Sequence, residues 1–201
     1  MNNFNESDIA IISLGKKYAL DFSKNPYEVI DKETGNRMPY DTGSKVLIYE
    51  NRQRTWFFDI AEKLKSDNEA GFVILMISVS YLEGNQQYRD GQPSNNRSTA
   101  TIKNAMQRIF PELDEDAIGA FIEQVRQGFF HDGITRNLVL IVVNDEVPAL
   151  TKVRNKLWIN PHLFLDRIKQ DFENYIQELK NPSNIESRNK FEQWWTQFKG
   201  F

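Results

Sequence analysis

A chain of 201 residues is long enough to bury one substantial core, and its 40% hydrophobic and 26% charged content is that of a soluble globular protein. The formal net charge of −3 argues against binding nucleic acid through bulk charge, though a local basic site stays open. No cysteine is present, which excludes disulfides, thiolate nucleophiles and cysteine-ligated metals; with two histidines far apart, no metal site or cofactor is expected.

The N-terminal MNNFNESDIAIISLG has no basic stretch followed by an apolar one, so it does not read as a secretory signal. The longest apolar run, 72–77, is far short of the roughly 20 residues that cross a bilayer. A cytoplasmic protein with no membrane contact is expected. Residues 1–50 are polar and punctuated by turn formers (Asn25-Pro26, Thr34-Gly35-Asn36, Thr42-Gly43), with short apolar pieces at 9–14 and 46–49. They predict an irregular N-terminal arm, with room for a short strand, lying on the core.

From Arg52 the spacing turns helical. Trp56, Phe57, Ile60, Ala61 and Leu64 mark one face of a first helix that ends near Ser66-Asp67-Asn68. Residues 69–87 contain FVILMISVSYL, apolar nearly all round; extension through Glu83 and Gln86 favours the central helix of a bundle over a buried strand. The turn-rich RDGQPSNN follows at 89–96. A third helix over 98–110 turns Ile102, Ala105, Met106 and Ile109 inward and stops at Pro111. The fourth begins near Leu113-Asp114, carries Ile118, Phe121, Ile122, Val125 and Phe129 at helical spacing, and ends at Asp132-Gly133.

After Gly133 the period changes. Runs at 138–143, 149–153 and 156–160 read as strands of a small antiparallel sheet, the last two joined at Arg154-Asn155. Pro161 opens a helix with Leu163, Phe164, Ile168, Phe172, Ile176 and Leu179 on one stripe. Asn181-Pro182 breaks it, and 185–198 forms a last amphipathic helix containing Trp194 and Trp195. The expected fold is mainly α: one domain over 51–201, with a core bundle at 52–135, a β-meander at 137–160 and C-terminal helices at 161–199.

Chemistry concentrates in EQVRQGFFHDGITR, residues 123–136. Arg126 and His131 sit five apart where a helix runs out. Histidine, with an ordinary pKa of about 6.5, suits acid–base work near neutral pH. Arginine offers a planar, permanently charged fork that matches phosphate oxygens. A structural account stands beside this one: His131 near the carbonyls of a helix end, favoured there as a cation by about 0.3–1 kcal/mol, and Arg126 paired with Glu123 or Glu83. Four bases between 89 and 108 (Arg89, Arg97, Lys103, Arg108) face Asp90 alone and form a candidate nucleic-acid-binding set, with solvated surface charge as the plain alternative. Tyr81 and Tyr88 could stack on bases, with core or rim packing the safer assignment.

Arg126-Gln-Gly-Phe-Phe-His131 resembles the R-x4-6-H signature of the HEPN superfamily, helical-bundle proteins that include many metal-independent ribonucleases of toxin–antitoxin, abortive-infection and CRISPR systems. The words RQGFFHDG and the long apolar helix ahead of the motif add to the likeness, which covers about residues 52–135. It implies a HEPN-like bundle and a metal-independent endoribonuclease acting on RNA, with Arg126 and His131 catalytic. Gln127, Glu83 and Asp132 would be supporting residues; an antitoxin protein and a homodimer through the motif helix would be the protein partners. Gln127 departs from the Asn, Asp or His often found after the arginine in active members. The alternative is a catalytically inactive HEPN-like module that binds RNA, a nucleotide or a partner protein; a structural dimer without a small ligand is the third reading. At about 100° per residue, five positions would leave Arg126 and His131 roughly 140° apart on an ideal α-helix. Either the helix tightens or unwinds near Gly128, or a second subunit completes the site across a two-fold axis, with Gly128 permitting close backbone approach there.

Overall fold

The computed structural model describes residues 11–136, 138–144 and 146–197. Where an irregular arm is expected, the chain forms a four-stranded antiparallel meander: β1 (Ile11–Ser13), β2 (Tyr18–Asp21), β3 (Glu28–Asp31) and β4 (Arg37–Pro39). β2 is central, with Leu20 opposite Ile12 on one side and Val29 on the other, and all its residues are buried. Buried Asp21 is tolerated because Arg37 donates to it at 2.7 Å and the Ser23 N–H at 3.0 Å. Asp31 accepts the Glu33 N–H at 2.9 Å and so organises the β3–β4 turn, where Gly35 takes φ +75°. Strands this short do not display alternation, and the turns between them supply the loop-like composition; the arm expectation fails for that reason.

Asp41 then caps α1 (Thr42–Gln53): its carboxylate accepts the Ser44 N–H at 2.9 Å, and the Ser44 hydroxyl accepts the Asp41 N–H at 3.1 Å. The first helix therefore starts at Thr42, not Arg52, and Val46, Ile48 and Tyr49 are its buried face. It passes through a π-helical turn (Arg54–Phe58) into α2 (Asp59–Leu64). A π turn inserts one residue into the helical register. The expected inner face is met in part: Ala61 is buried and Leu64 packs against the core, but Trp56 and Ile60 are 49% and 46% exposed and Phe58 is buried instead.

The central helix, α3 (Gly71–Asp90), ends at Gly91 in the left-handed region at φ +70°. α4 (Ser98–Ile109) follows with Ile102, Ala105, Met106 and Ile109 inward, as their spacing predicts. α5 (Glu115–Phe121) is capped by the Asp114 carboxylate, which accepts the Ala117 N–H at 2.7 Å. Beyond α5 the helix continues in two π-helical turns, Ile122–Arg126 and Gly128–Asp132.

A small three-stranded sheet comes next: β5 (Val139–Ile141), β6 (Leu150–Val153) and β7 (Lys156–Ile159), in the order β5-β7-β6. β6 and β7 form the antiparallel hairpin expected at Arg154-Asn155, whereas β5 joins the far edge of β7 in parallel, so the chain order is not that of a meander. Asn160 caps α6 (Pro161–Lys180), accepting the His162 and Leu163 N–H groups at 3.1 and 3.2 Å. α7 (Ile185–Gln197) completes the described chain. α3 packs against α4, α6 and α7, and one continuous core runs from Leu14, Leu20 and Val29 of the N-terminal sheet through Leu75 and Phe172 to Trp195. The fold is thus mainly α with a small sheet and C-terminal helices, and the N-terminal segment belongs to the same packed unit.

Candidate functional site

Arg126 ends the first π turn of the motif helix. Its Nη2 donates to Glu83 Oε2 at 3.1 Å and to the Ser98 hydroxyl at 2.6 Å, and its guanidinium lies 5.0 Å from the centre of the Phe130 ring. Glu83 comes from the middle of α3, and its other oxygen accepts the Ser94 hydroxyl at 2.7 Å. Burial pushes the Glu83 carboxyl up, but the hydrogen bonds from Ser94, Ser98 and Arg126 outweigh it and hold the group below the ordinary glutamate range. The cation is thus oriented from three directions: by α3, by the start of α4, and by a ring on its own helix. Ser94 and Ser98 escape the sequence reading, because hydroxyls in and beside a turn-rich loop carry no distinctive pattern.

His131 is exposed and makes no hydrogen bond or ion pair among the described residues. Its relation to Arg126 is set by the backbone. The Gln127 N–H bonds to the Ile122 carbonyl, five residues back rather than four. The second π turn, Gly128–Asp132, carries His131, so Arg126 and His131 both lie on a segment where five-residue backbone bonds widen the turn. The offset of roughly 140° belongs to an ideal α-helix, and this segment is not one.

Gly128 is explained within the chain. A Cβ there would stand 2.6 Å from the Ile134 carbonyl oxygen and 3.2 Å from Thr135 Cα. After Gly133, at φ +72°, the backbone turns back along the motif helix, and the Arg136 N–H bonds to the Gln124 carbonyl at 2.9 Å. The close approach expected at Gly128 across a two-fold axis is therefore made by residues 134–136. Phe129 is buried edge-on to Phe72 at 4.9 Å, while Phe130 on the adjacent position is 57% exposed.

The supporting residues divide. Glu83 meets Arg126. Asp132 accepts from Arg136 Nε at 2.8 Å rather than from His131. Gln127 is half-buried and lines a shallow groove with Lys103, Thr99 and Glu123.

The four bases at 89–108 do not converge on one face. Arg89 and Arg108 turn inward to Asp171 of α6. Arg89 reaches Asp171 Oδ1 and Glu178 Oε2, each at 3.3 Å, and lies 4.1 Å over the Tyr175 ring; Arg108 pairs with Asp171 and donates to Gln86 Oε1 at 3.1 Å. Tyr81 and Asn85 also donate to Asp171, at 3.4 and 3.3 Å. This half-buried network ties α3 and α4 to α6. Lys103 pairs with Glu115 at 2.8 Å, and exposed Arg97 donates to the Pro93 carbonyl at 3.3 Å. Tyr81 is buried and Tyr88 is packed against Tyr49 and Phe191, so both serve the core.

Among the described residues no helix is long and apolar enough to cross a membrane, and no group of three or more His, Cys, Asp or Glu could hold a metal ion. Comparison with protein-family models, curated proteins and solved structures gave no match.

Proposed function

We propose that the Arg126–His131 pair makes this protein a metal-independent endoribonuclease of the HEPN type, acting in a stress or defence system in which an antitoxin protein would restrain it. The observation that supports the proposal is that Arg126 and His131 lie on a helix widened by two π turns, with the Arg126 guanidinium braced by Glu83 and Ser98. Local π turns are frequent at functional sites. In the reaction, His131 takes the proton from an RNA 2′-hydroxyl and the 2′-oxygen attacks the adjacent phosphorus. Arg126 stabilises the added charge on the phosphoryl oxygens, the bond to the 5′-oxygen breaks, that oxygen takes a proton from water, and the hydroxide formed is neutralised by the proton that His131 holds. The product is a 2′,3′-cyclic phosphate; DNA, lacking the hydroxyl, is not cut.

The homodimer through the motif helix remains part of the proposal, with exposed Phe130 and Ile134 as its surface. If the pair comes from one chain, mixing Arg126→Ala with His131→Ala protein should restore no activity, whereas recovery would place the two residues across the dimer interface. The direct test is cleavage of labelled RNA in EDTA: each single variant should abolish it. Undiminished cleavage by His131→Ala protein would sink the mechanism.

One observation favours the inactive HEPN-like module instead. Arg126 is already engaged by a carboxylate and a hydroxyl, and Asp132, the nearest carboxylate in sequence to His131, is taken by Arg136. Such a module would bind RNA, a nucleotide or a protein partner through Arg126 without cutting it. Wild-type protein that binds RNA but never cleaves it would select this reading.

A further inference from the structure

The N-terminal sheet carries a cleft lined by the β2–β3 connection, residues 22–27, and by Tyr40. Three rings build its wall. Phe22 meets Tyr27 edge-on at 5.0 Å, and Tyr27 leans on Tyr40 at 6.4 Å. Tyr40 is anchored from behind: its hydroxyl accepts from Trp195 Nε1 at 2.7 Å, and the Lys45 ammonium lies 4.7 Å from its ring centre. Tyr27 is the presented ring, 45% exposed although two neighbouring aromatics hold it in place. Lys24 is the sole charged residue on the wall and has no ion pair among the described residues.

We propose that this cleft binds a nucleotide, its unpaired base stacked on Tyr27 and its phosphate met by Lys24, with the Asn25 amide supplying a donor and an acceptor for the base edge. A rigid, solvent-open aromatic face beside an unpaired cation is the combination that single-stranded nucleic acid uses, since every base has a π-face and every residue a phosphate. Two other occupants fit less well. Prolines on one face of a polyproline helix recur every ~9 Å (three residues of ~3.1 Å), whereas these ring centres are 5.0 and 6.4 Å apart, so the cluster is one platform rather than two slots. A neutral sugar would leave Lys24 without a role. A duplex keeps its bases stacked inside and cannot offer one to Tyr27. The assignment does not rest on cleavage by Arg126 and His131.

The test uses the full chain and a labelled 2′-O-methyl RNA of about six nucleotides, which has no free 2′-hydroxyl and survives even if the protein is a nuclease. Binding is followed by fluorescence anisotropy. Tyr27→Ala should weaken it by about tenfold or more, the effect of losing one stacked base. Tyr27→Phe keeps the ring and should stay within about twofold of wild type. Lys24→Gln should reduce the slope of log affinity against log salt by roughly 0.7, one phosphate contact on a single strand. Adenosine monophosphate that competes in a Tyr27-dependent way identifies a free nucleotide as sufficient ligand; intact oligonucleotide binding without competition identifies the strand. The proposal is overturned if neither probe binds or if Tyr27→Ala binds like wild type. Duplex RNA binding as tightly as the single strand, or a proline-rich peptide binding through Tyr27 where the oligonucleotide does not, would overturn it as well.

Discussion

Gly128→Ala tests whether the motif helix is braced by its own following chain. The new methyl carbon would meet the Ile134 carbonyl oxygen at 2.6 Å, Thr135 Cα at 3.2 Å and the Arg136 nitrogen at 3.3 Å, all backbone atoms that cannot swing aside as a flexible side chain would. Relief requires residues 134–136 to lift, which breaks the Arg136 N–H bond to the Gln124 carbonyl. Overpacking of this kind costs about 1–3 kcal/mol, and the lost hydrogen bond about 0.5–1.5 kcal/mol. Replacing a helical glycine recovers roughly 1 kcal/mol. The net is a loss of about 2 kcal/mol, or a Tm lowered by about 4–8 °C for a chain of this size. Gly84→Ala and Gly119→Ala are the controls, because a Cβ at either helical position meets nothing within 4 Å. They should gain up to about 1 kcal/mol. Thermal unfolding followed by circular dichroism reads all three. A Gly128→Ala protein as stable as the two controls would refute the brace.

Removing Arg126 strands the half-buried Glu83 carboxylate, so Arg126→Ala should lose about 1–3 kcal/mol in denaturant unfolding, while exposed His131→Ala should stay within about 0.5 kcal/mol; equal losses would contradict the placement of the two side chains. Asp171→Ala leaves Arg89 and Arg108 facing each other without their shared carboxylate and should cost about 3–5 kcal/mol, whereas a loss below about 1 kcal/mol would mean the network is incidental. In acid, the Ser23 hydrogen bond and then Arg37 hold the Asp21 carboxyl down to about 2. Being lower in the folded than in the unfolded chain, where it is about 3.9, this group contributes stability fully above about pH 4 and loses it as pH falls towards 2. Asp21→Asn should therefore flatten the fall of Tm in that window, and an unchanged slope would count against the assignment.

Much of the helical framework was legible in the order of residues. The 3.6-residue period of 98–109, the apolar stretch inside 71–90, the Asn160-Pro161 start and the Asp132-Gly133 stop are local signals, because helix contacts and caps lie within a turn of each other in sequence. The mainly α class with a small late sheet, and the choice of Arg126, His131 and Glu83 as residues of interest, follow from that local information. What the sequence could not disclose depends on partners far along the chain. The N-terminal meander is built from strands of three and four residues that acquire their meaning only by pairing. Arg89 and Arg108 look like surface bases until α6 brings Asp171 between them. The π turns leave no mark in composition, yet they alter the helical register in which Trp56, Arg126 and His131 sit. The added residue in such a turn is sustained by tertiary contacts. For the motif helix these are the backbone of 134–136 lying against Gly128 and the Arg136 N–H on the Gln124 carbonyl. They exist only once the chain has folded back on itself.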